Sequence, residues 1–183
     1  MTDVLVCYGT TEGQTAAVAD RIASVLREEG HEVDVADLPT DAVPPDYDGV
    51  IVGASVHVGK HQQRVQEFVS GHRDELNAIP TGFFSVSLSA ASDDPEARDQ
   101  ASSLVDEFLD ETEWSPDLTT TVAGALRYSQ YGRIKRILMK FIAGRNAGDT
   151  DTSRDYEYTD WGAVEAFARE FEQALVRSDE PSA

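Results

Sequence analysis

The stretch Tyr8-Gly9-Thr10-Thr11-Glu12-Gly13-Gln14-Thr15 places three threonines, two glycines and an amide directly after the apolar run Val4-Leu5-Val6-Cys7. Hydroxyls can donate to phosphate oxygens, and a helix starting at such a loop adds free N–H groups and the positive end of its dipole. The loop has no lysine. It is therefore no Walker A loop, which needs Gly-Lys-Ser/Thr, and it lacks the Gly-x-Gly-x-x-Gly of a dinucleotide fold. A monophosphate held by Thr10, Thr11, Thr15 and the backbone of Glu12, Gly13 and Gln14 fits this chemistry. The same residues also suit a plain helix start, with Thr10 or Thr11 as the cap and Gly9 and Gly13 shaping a turn.

Two further segments carry free backbone donors and acceptors with little side-chain bulk: "GASVHVGKH" at 53–61 and "SLSAASDD" at 87–94. A flat ring system fits between them. No Ser/His/Asp relay is suggested, and His/Cys spacing for a metal is absent. The single cysteine, Cys7, reads as a plain buried thiol, and Asp149, Asp151 and Asp155 read as surface charge. His61 and His72 are expected in solvent.

The elements that position these loops alternate along the chain. Residues 3–8 read as a buried strand, and 14–29 as a helix with Val18, Ile22, Val25 and Leu26 at helical spacing before Gly30 stops it. Strands follow at 31–38, 49–55, 82–89 and 119–126, with helices at 62–76 and 95–110. A basic helix at 132–143 precedes a last helix from about 159 to 176, where Val164, Phe167, Phe171 and Leu175 share a face. Such alternation implies right-handed crossovers and an α/β three-layer sandwich with a parallel sheet, forming one domain over 1–183. Ligands of such sheets bind outside the carboxyl ends of the strands, where the strand order reverses. The opening loop lies at that end.

Composition narrows the partners. The chain has 34 acidic and 15 basic residues, a net charge of −19, and its carboxylates are spread over its whole length. Such a field repels nucleic acid and anionic lipid and suits a protein kept soluble in high salt, as in a halophile. There is no run of 18 apolar residues and no signal-peptide pattern, so a cytoplasmic protein is expected.

With these loops in place the chain resembles the flavodoxin fold, whose sheet runs in the order 2-1-3-4-5 and binds FMN at its switch point. The stretch "AGALRYSQYGRIKRILMKFIAGRNAGDTDTSRDYEYTDW" at 123–161, with "GASVHVGKH" and "FFSVSL", is similar to the flavodoxin-like, menaquinone-dependent protoporphyrinogen IX dehydrogenases of haem synthesis. Ordinary electron-carrier flavodoxins have no such insert, here about 127–158, between the last strand and the last helix. The resemblance implies FMN as cofactor, protoporphyrinogen IX as substrate and menaquinone as acceptor. It also implies that FMN contacts Thr10, Thr11, Glu12, Gly13, Gln14 and Thr15, then Ala54, Ser55, Val56, His57, Val58 and Gly59, and finally Ser87, Leu88, Ser89, Ala90 and Ala91. His57, Lys60 and Arg127 are the candidates for chemistry at the flavin. An electron shuttle or a quinone reductase without a tetrapyrrole substrate is the alternative.

Residues 127–145 hold six of the basic residues and no carboxylate, so this segment is +6 and the remainder −25. Three readings compete for it. The apolar face of the helix packs on the core; or the helix lies on an anionic membrane at the inner face of the cell, where the quinone dissolves; or the arginines grip the propionates of the tetrapyrrole. Arg127, Arg133, Lys135, Arg136 and Lys140 are the residues that these readings turn on.

Overall fold

The computed structural model describes residues 1–11, 13–126 and 156–179. Glu12, Arg127, Arg133, Lys135, Arg136, Lys140, the three loop aspartates Asp149, Asp151 and Asp155, and the expected helix at 132–143 lie outside the described residues.

Strands β1 (Asp3–Gly9), β2 (Glu32–Asp37), β3 (Gly49–His57), β5 (Thr81–Ser87) and β6 (Leu118–Ala123) form a parallel sheet in the order β2-β1-β3-β5-β6. Among these long strands the expected order 2-1-3-4-5 holds. An addition is β4 (Lys60–His61), which turns back antiparallel on the end of β3. The central strands are buried and mostly apolar because both faces are covered. Val4 and Val6 point to one core with α1 (Gln14–Glu28) and α5 (Trp161–Asp179), while Leu5 and Cys7 point to the other. The second core is closed by α2 (Gln63–Gly71), α3 (Arg73–Leu76) and α4 (Pro95–Thr112). Cys7 is wholly buried, and burial pushes its thiol far above the ordinary range, so it is inert at neutral pH. No helix among the described residues is long and apolar enough to cross a membrane.

Two boundaries depart from the periodicity. The helix expected over 62–76 is broken at His72, whose Nδ1 lies 2.9 Å from the carbonyl oxygen of Phe68 and whose ring packs on the Phe68 ring. The fifth long strand ends at Ala123 rather than at 126. After Gly124, β7 (Ala125–Leu126) pairs antiparallel with β8 (Tyr156–Glu157), which brings the two flanks of 127–155 together.

His61 and His72 are not in solvent as expected; both are half-buried. The reason for His61 is that β4 is a strand and not a helix start, so its side chain turns inward. Its Nε2 is 2.8 Å from the Ser85 hydroxyl, and its ring meets Phe83 and Phe108 edge-on. Burial lowers its pKa from 6.5 to about 4.

Gly53 shows how tightly the sheet is covered. It pairs in register with Phe84, and a Cβ built on it would run into the Phe84 ring. Gly53→Ala is therefore expected to destabilise the protein by about 1–3 kcal/mol in denaturant melts, whereas Gly71→Ala, with open space around it, should be near neutral. The histidine gives a pH-dependent expectation. Because its native pKa is depressed, the unfolded chain takes up a proton first as pH falls. The stability advantage of wild type over His61→Gln should be fully present above pH 6.5 and lost progressively towards pH 4, by an amount on the order of 3 kcal/mol. A pH-independent difference would contradict a buried neutral imidazole.

Candidate functional site

The site is assembled where β1, β3, β5 and β6 end. The chain leaves β1 at Gly9, where no Cβ fits because Gln62 and Val65 of the α2 start pack against it. Thr10 then folds the loop back by accepting the Gly13 N–H at 2.9 Å. Gly13 takes φ +85°, a left-handed conformation that glycine adopts without strain, and α1 begins. No side chain caps this helix. Thr10 serves the turn ahead of it, and Thr11 accepts from Gln62 Nε2 at 2.6 Å. The capping reading of these two residues is therefore not what the fold uses. The first N–H groups of α1 have no intrahelical partner, and the Thr15 hydroxyl is wholly buried without any hydrogen-bond partner among the described residues.

Long-range contacts fix this loop. Arg64 Nη2 donates to the Thr10 carbonyl at 2.5 Å and Nη1 to that of Leu38 at 2.7 Å, with Asp37 at 3.4 Å. On the other side Gln14 Nε2 donates to the Thr159 hydroxyl at 2.7 Å, which itself donates to the Ala123 carbonyl at 2.8 Å. The Gln14 side chain therefore buttresses the loop from behind. Thr159, just ahead of α5, had no signal in the sequence that could have marked it.

The second segment is a tight hairpin and not the open loop its composition suggests. His57 pairs with Lys60 across a turn in which Val58 and Gly59 have φ of +51° and +72°. This matches the mirror-image two-residue turns that suit strand twist. A β-branched residue in that region is strained by about 1–3 kcal/mol, and Val58 is also 80% exposed. In the third segment Ser87 accepts the Ala90 N–H at 3.2 Å through its hydroxyl and the Gly124 N–H at 3.0 Å through its carbonyl, and Ser89–Ala91 form a single 3-10 turn.

Between these segments lies a cavity of about 200 Å³. Thr10, Thr11, Gln14 and Thr15 line one end; Ser55, Val56, His57, Val58 and Gly59 line one wall, and Ser87, Leu88 and Ser89 the other. Sequence reasoning missed Val86 and Gly124, which complete the lining; the glycine directly after a strand was the available signal for the second. Ala54 is wholly buried in the core beneath, and Gly13, Ala90, Ala91 and Lys60 do not line the cavity. Ser55 Oγ, like Thr15 Oγ1, is buried without a partner. A site with orphaned hydroxyls, free helix N–H groups and a slot between two backbone walls suits a phosphate joined to a flat ring. The residues present therefore fit FMN. Among the described residues no group of three or more His, Cys, Asp or Glu side chains could hold a metal ion.

Comparison with known proteins agrees with this geometry. The flavodoxin domain family matches residues 5–153. Protoporphyrinogen IX dehydrogenase [quinone] of Escherichia coli K12 is 40% identical over 169 residues, covering 91% of this chain and 92% of that one. The protein of the same name from Leishmania major is 37% identical over 170 residues, covering 91% of this chain and 73% of its own. Among solved structures, a short-chain flavodoxin associated with a bacterial microcompartment superposes with a TM-score of 0.60 over 98% of this chain and 100% of its own, at 14% identity. A Fusobacterium nucleatum flavodoxin mutant bound to flavin mononucleotide gives 0.51 over 98% of both chains at 9% identity. These two likenesses show the fold, and the closer sequences show the branch: the chain belongs to the flavodoxin domain family, with the quinone-linked protoporphyrinogen IX dehydrogenases.

Proposed function

We propose that the chain is an FMN-dependent oxidoreductase that converts protoporphyrinogen IX to protoporphyrin IX and passes the electrons to a quinone, menaquinone in the first instance. The observation that carries the cofactor assignment is the buried, unpartnered Thr15 hydroxyl under an uncapped α1 start, at the end of a cavity walled by β3 and β5. The substrate rests on the likeness to the Escherichia coli enzyme over nearly the full length of both chains.

Thr10, Thr11, Thr15 and the first N–H groups of α1 would hold the phosphate, and the opening loop offers no second anion site of the kind that FAD would need. The walls formed by 55–59 and 87–89 would clasp the ring, and Ser55 Oγ can bond to a polar ring edge. When bound, FMN supplies the reversible two-electron chemistry that links tetrapyrrole and quinone. The protein holds that group, orients it and limits water around it. Val58 at the tip of the hairpin covers one side of the slot with an apolar side chain.

The basic segment 127–145 is proposed to bring the enzyme to the inner face of the membrane and to border the substrate site, with Arg127, Arg133, Lys135, Arg136 and Lys140 as its cations. High salt would screen the electrostatic part of that contact and leave the apolar face of the segment to hold. A cytoplasmic protein that meets the membrane peripherally is consistent with a quinone acceptor. The high acidic charge is consistent with a saline cell interior.

The test is anaerobic turnover of protoporphyrinogen IX by the FMN-loaded protein. Protoporphyrin should appear together with reduced quinone when a water-soluble menaquinone analogue is supplied, and a ferredoxin-type protein should be a poorer acceptor. Loaded protein that yields no porphyrin yet exchanges electrons with the protein carrier would be an electron shuttle, and the reading would fall.

A further inference from the structure

A second, larger hollow of about 640 Å³ lies beside the ring cavity. The two share Thr10, Thr11 and His57, which form the rim between them. The far wall of the hollow is built from the start of α2 and from β4, and it contributes Lys60, Gln62, Arg64 and Glu67. These cations stand out against the rest of the surface. The chain has only three lysines, and Lys60 is the one among the described residues. Glu67 is the only carboxylate in the lining among the described residues, and it accepts from Gln63 Nε2 at 2.7 Å. Arg64 is committed to the carbonyls of Thr10 and Leu38. Lys60 and His57 are exposed, and among the described residues neither side chain has a hydrogen bond or ion pair.

Lys60 is also well placed in space. Its backbone is pinned by pairing with His57, and the next residue is anchored to Ser85 and wedged against Phe83 and Phe108. A free ammonium on a fixed backbone, in a concave surface beside the ring cavity, offers an anion a pairing cation there. The cofactor's own phosphate is provided for elsewhere, at α1.

We infer that the hollow between the β3-β4 hairpin and the start of α2 receives the carboxylates of the tetrapyrrole substrate, with Lys60 as their pairing cation. Arg64 is a positioning residue there, tying the rim at Thr10 to the end of β2. The inference rests on the functional reading above. The substrate it names is a puckered, unconjugated macrocycle bearing two propionates, so one end can sit on the cation while the macrocycle reaches across the rim towards the ring cavity. Ammonium–carboxylate pairing at a partly exposed site is modest in strength and weakens with salt.

The experiment uses FMN-loaded protein, wild type, Lys60→Gln and Lys60→Arg. Each is titrated with protoporphyrin IX and with its dimethyl ester, whose propionates carry no charge, and each is assayed for KM with protoporphyrinogen IX. Lys60→Gln should weaken the diacid about two- to fivefold and leave the ester unchanged. KM should rise by a similar factor, Lys60→Arg should restore most of it, and added salt should shrink the difference. FMN affinity should not move, because Lys60 does not line the ring cavity. Equal effects on diacid and ester, or no effect on either while wild type binds both, would overturn the inference and leave the functional reading standing. Wild-type protein that holds FMN but neither binds nor turns over the tetrapyrrole would overturn that reading, and the inference with it.

Discussion

Polar demands left unmet converge where α1 starts. The helix begins at Gly13 with no side-chain cap among the described residues, its Gln14 and Thr15 line a cavity, and the buried hydroxyls of Thr15 and of Ser55 in the facing wall have no partner among those residues. A buried unpaired hydroxyl costs about 1–3 kcal/mol, and a glycine N-cap without a side-chain acceptor forgoes about a few tenths of a kcal/mol more. A ligand that supplies the missing acceptors would offset both costs. The surrounding architecture holds this loop in shape: Gly9 lets α2 approach, Arg64 and Gln62 tie the loop to α2, and Gln14 ties it through Thr159 to the end of β6. Four strand ends are thereby locked around one anion-sized opening.

The same bracing explains why the chemistry sits on one edge of the sheet. The parallel strands bury both faces, so only their carboxyl ends offer polar backbone to a ligand. The hairpin at 57–60 extends that edge. Its strained, exposed Val58 and its left-handed Gly59 are held by β4, and β4 is held by His61 against Ser85, Phe83 and Phe108. A buried neutral histidine thus acts as a structural pin for a surface turn, and that turn separates the ring cavity from the hollow beside it.

Much of this was legible before any coordinates. Periodicities of two and 3.6 gave the alternation of strands and helices because each element has an apolar face to bury, and the threonine-rich loop after β1, singled out for its donor chemistry, does line the cavity. What escaped was set by distant pairings. The spacing of "VHVGKH" reads equally as an open loop or a hairpin, and only pairing of His57 with Lys60 decides it. His61 looked exposed because its burial depends on Phe83 and Phe108, which lie far along the chain. The role of Gln14 as a buttress depends on Thr159, separated from it by 145 positions. Gly124 completes the cavity by bonding to Ser87, a contact that exists only once β5 and β6 are neighbours.

The central claim, that the open start of α1 is completed by a single phosphate, is tested most directly by titrating the apoprotein with FMN and with riboflavin, which share the ring and differ in the phosphate. Wild type should bind FMN far more tightly than riboflavin. Thr15→Val, which keeps the buried shape and removes the hydroxyl, should lower FMN affinity about tenfold, in line with a charge-assisted hydrogen bond, and leave riboflavin unchanged. Equal affinity of wild type for the two flavins would contradict the account, as would a Thr15→Val variant that weakens both alike.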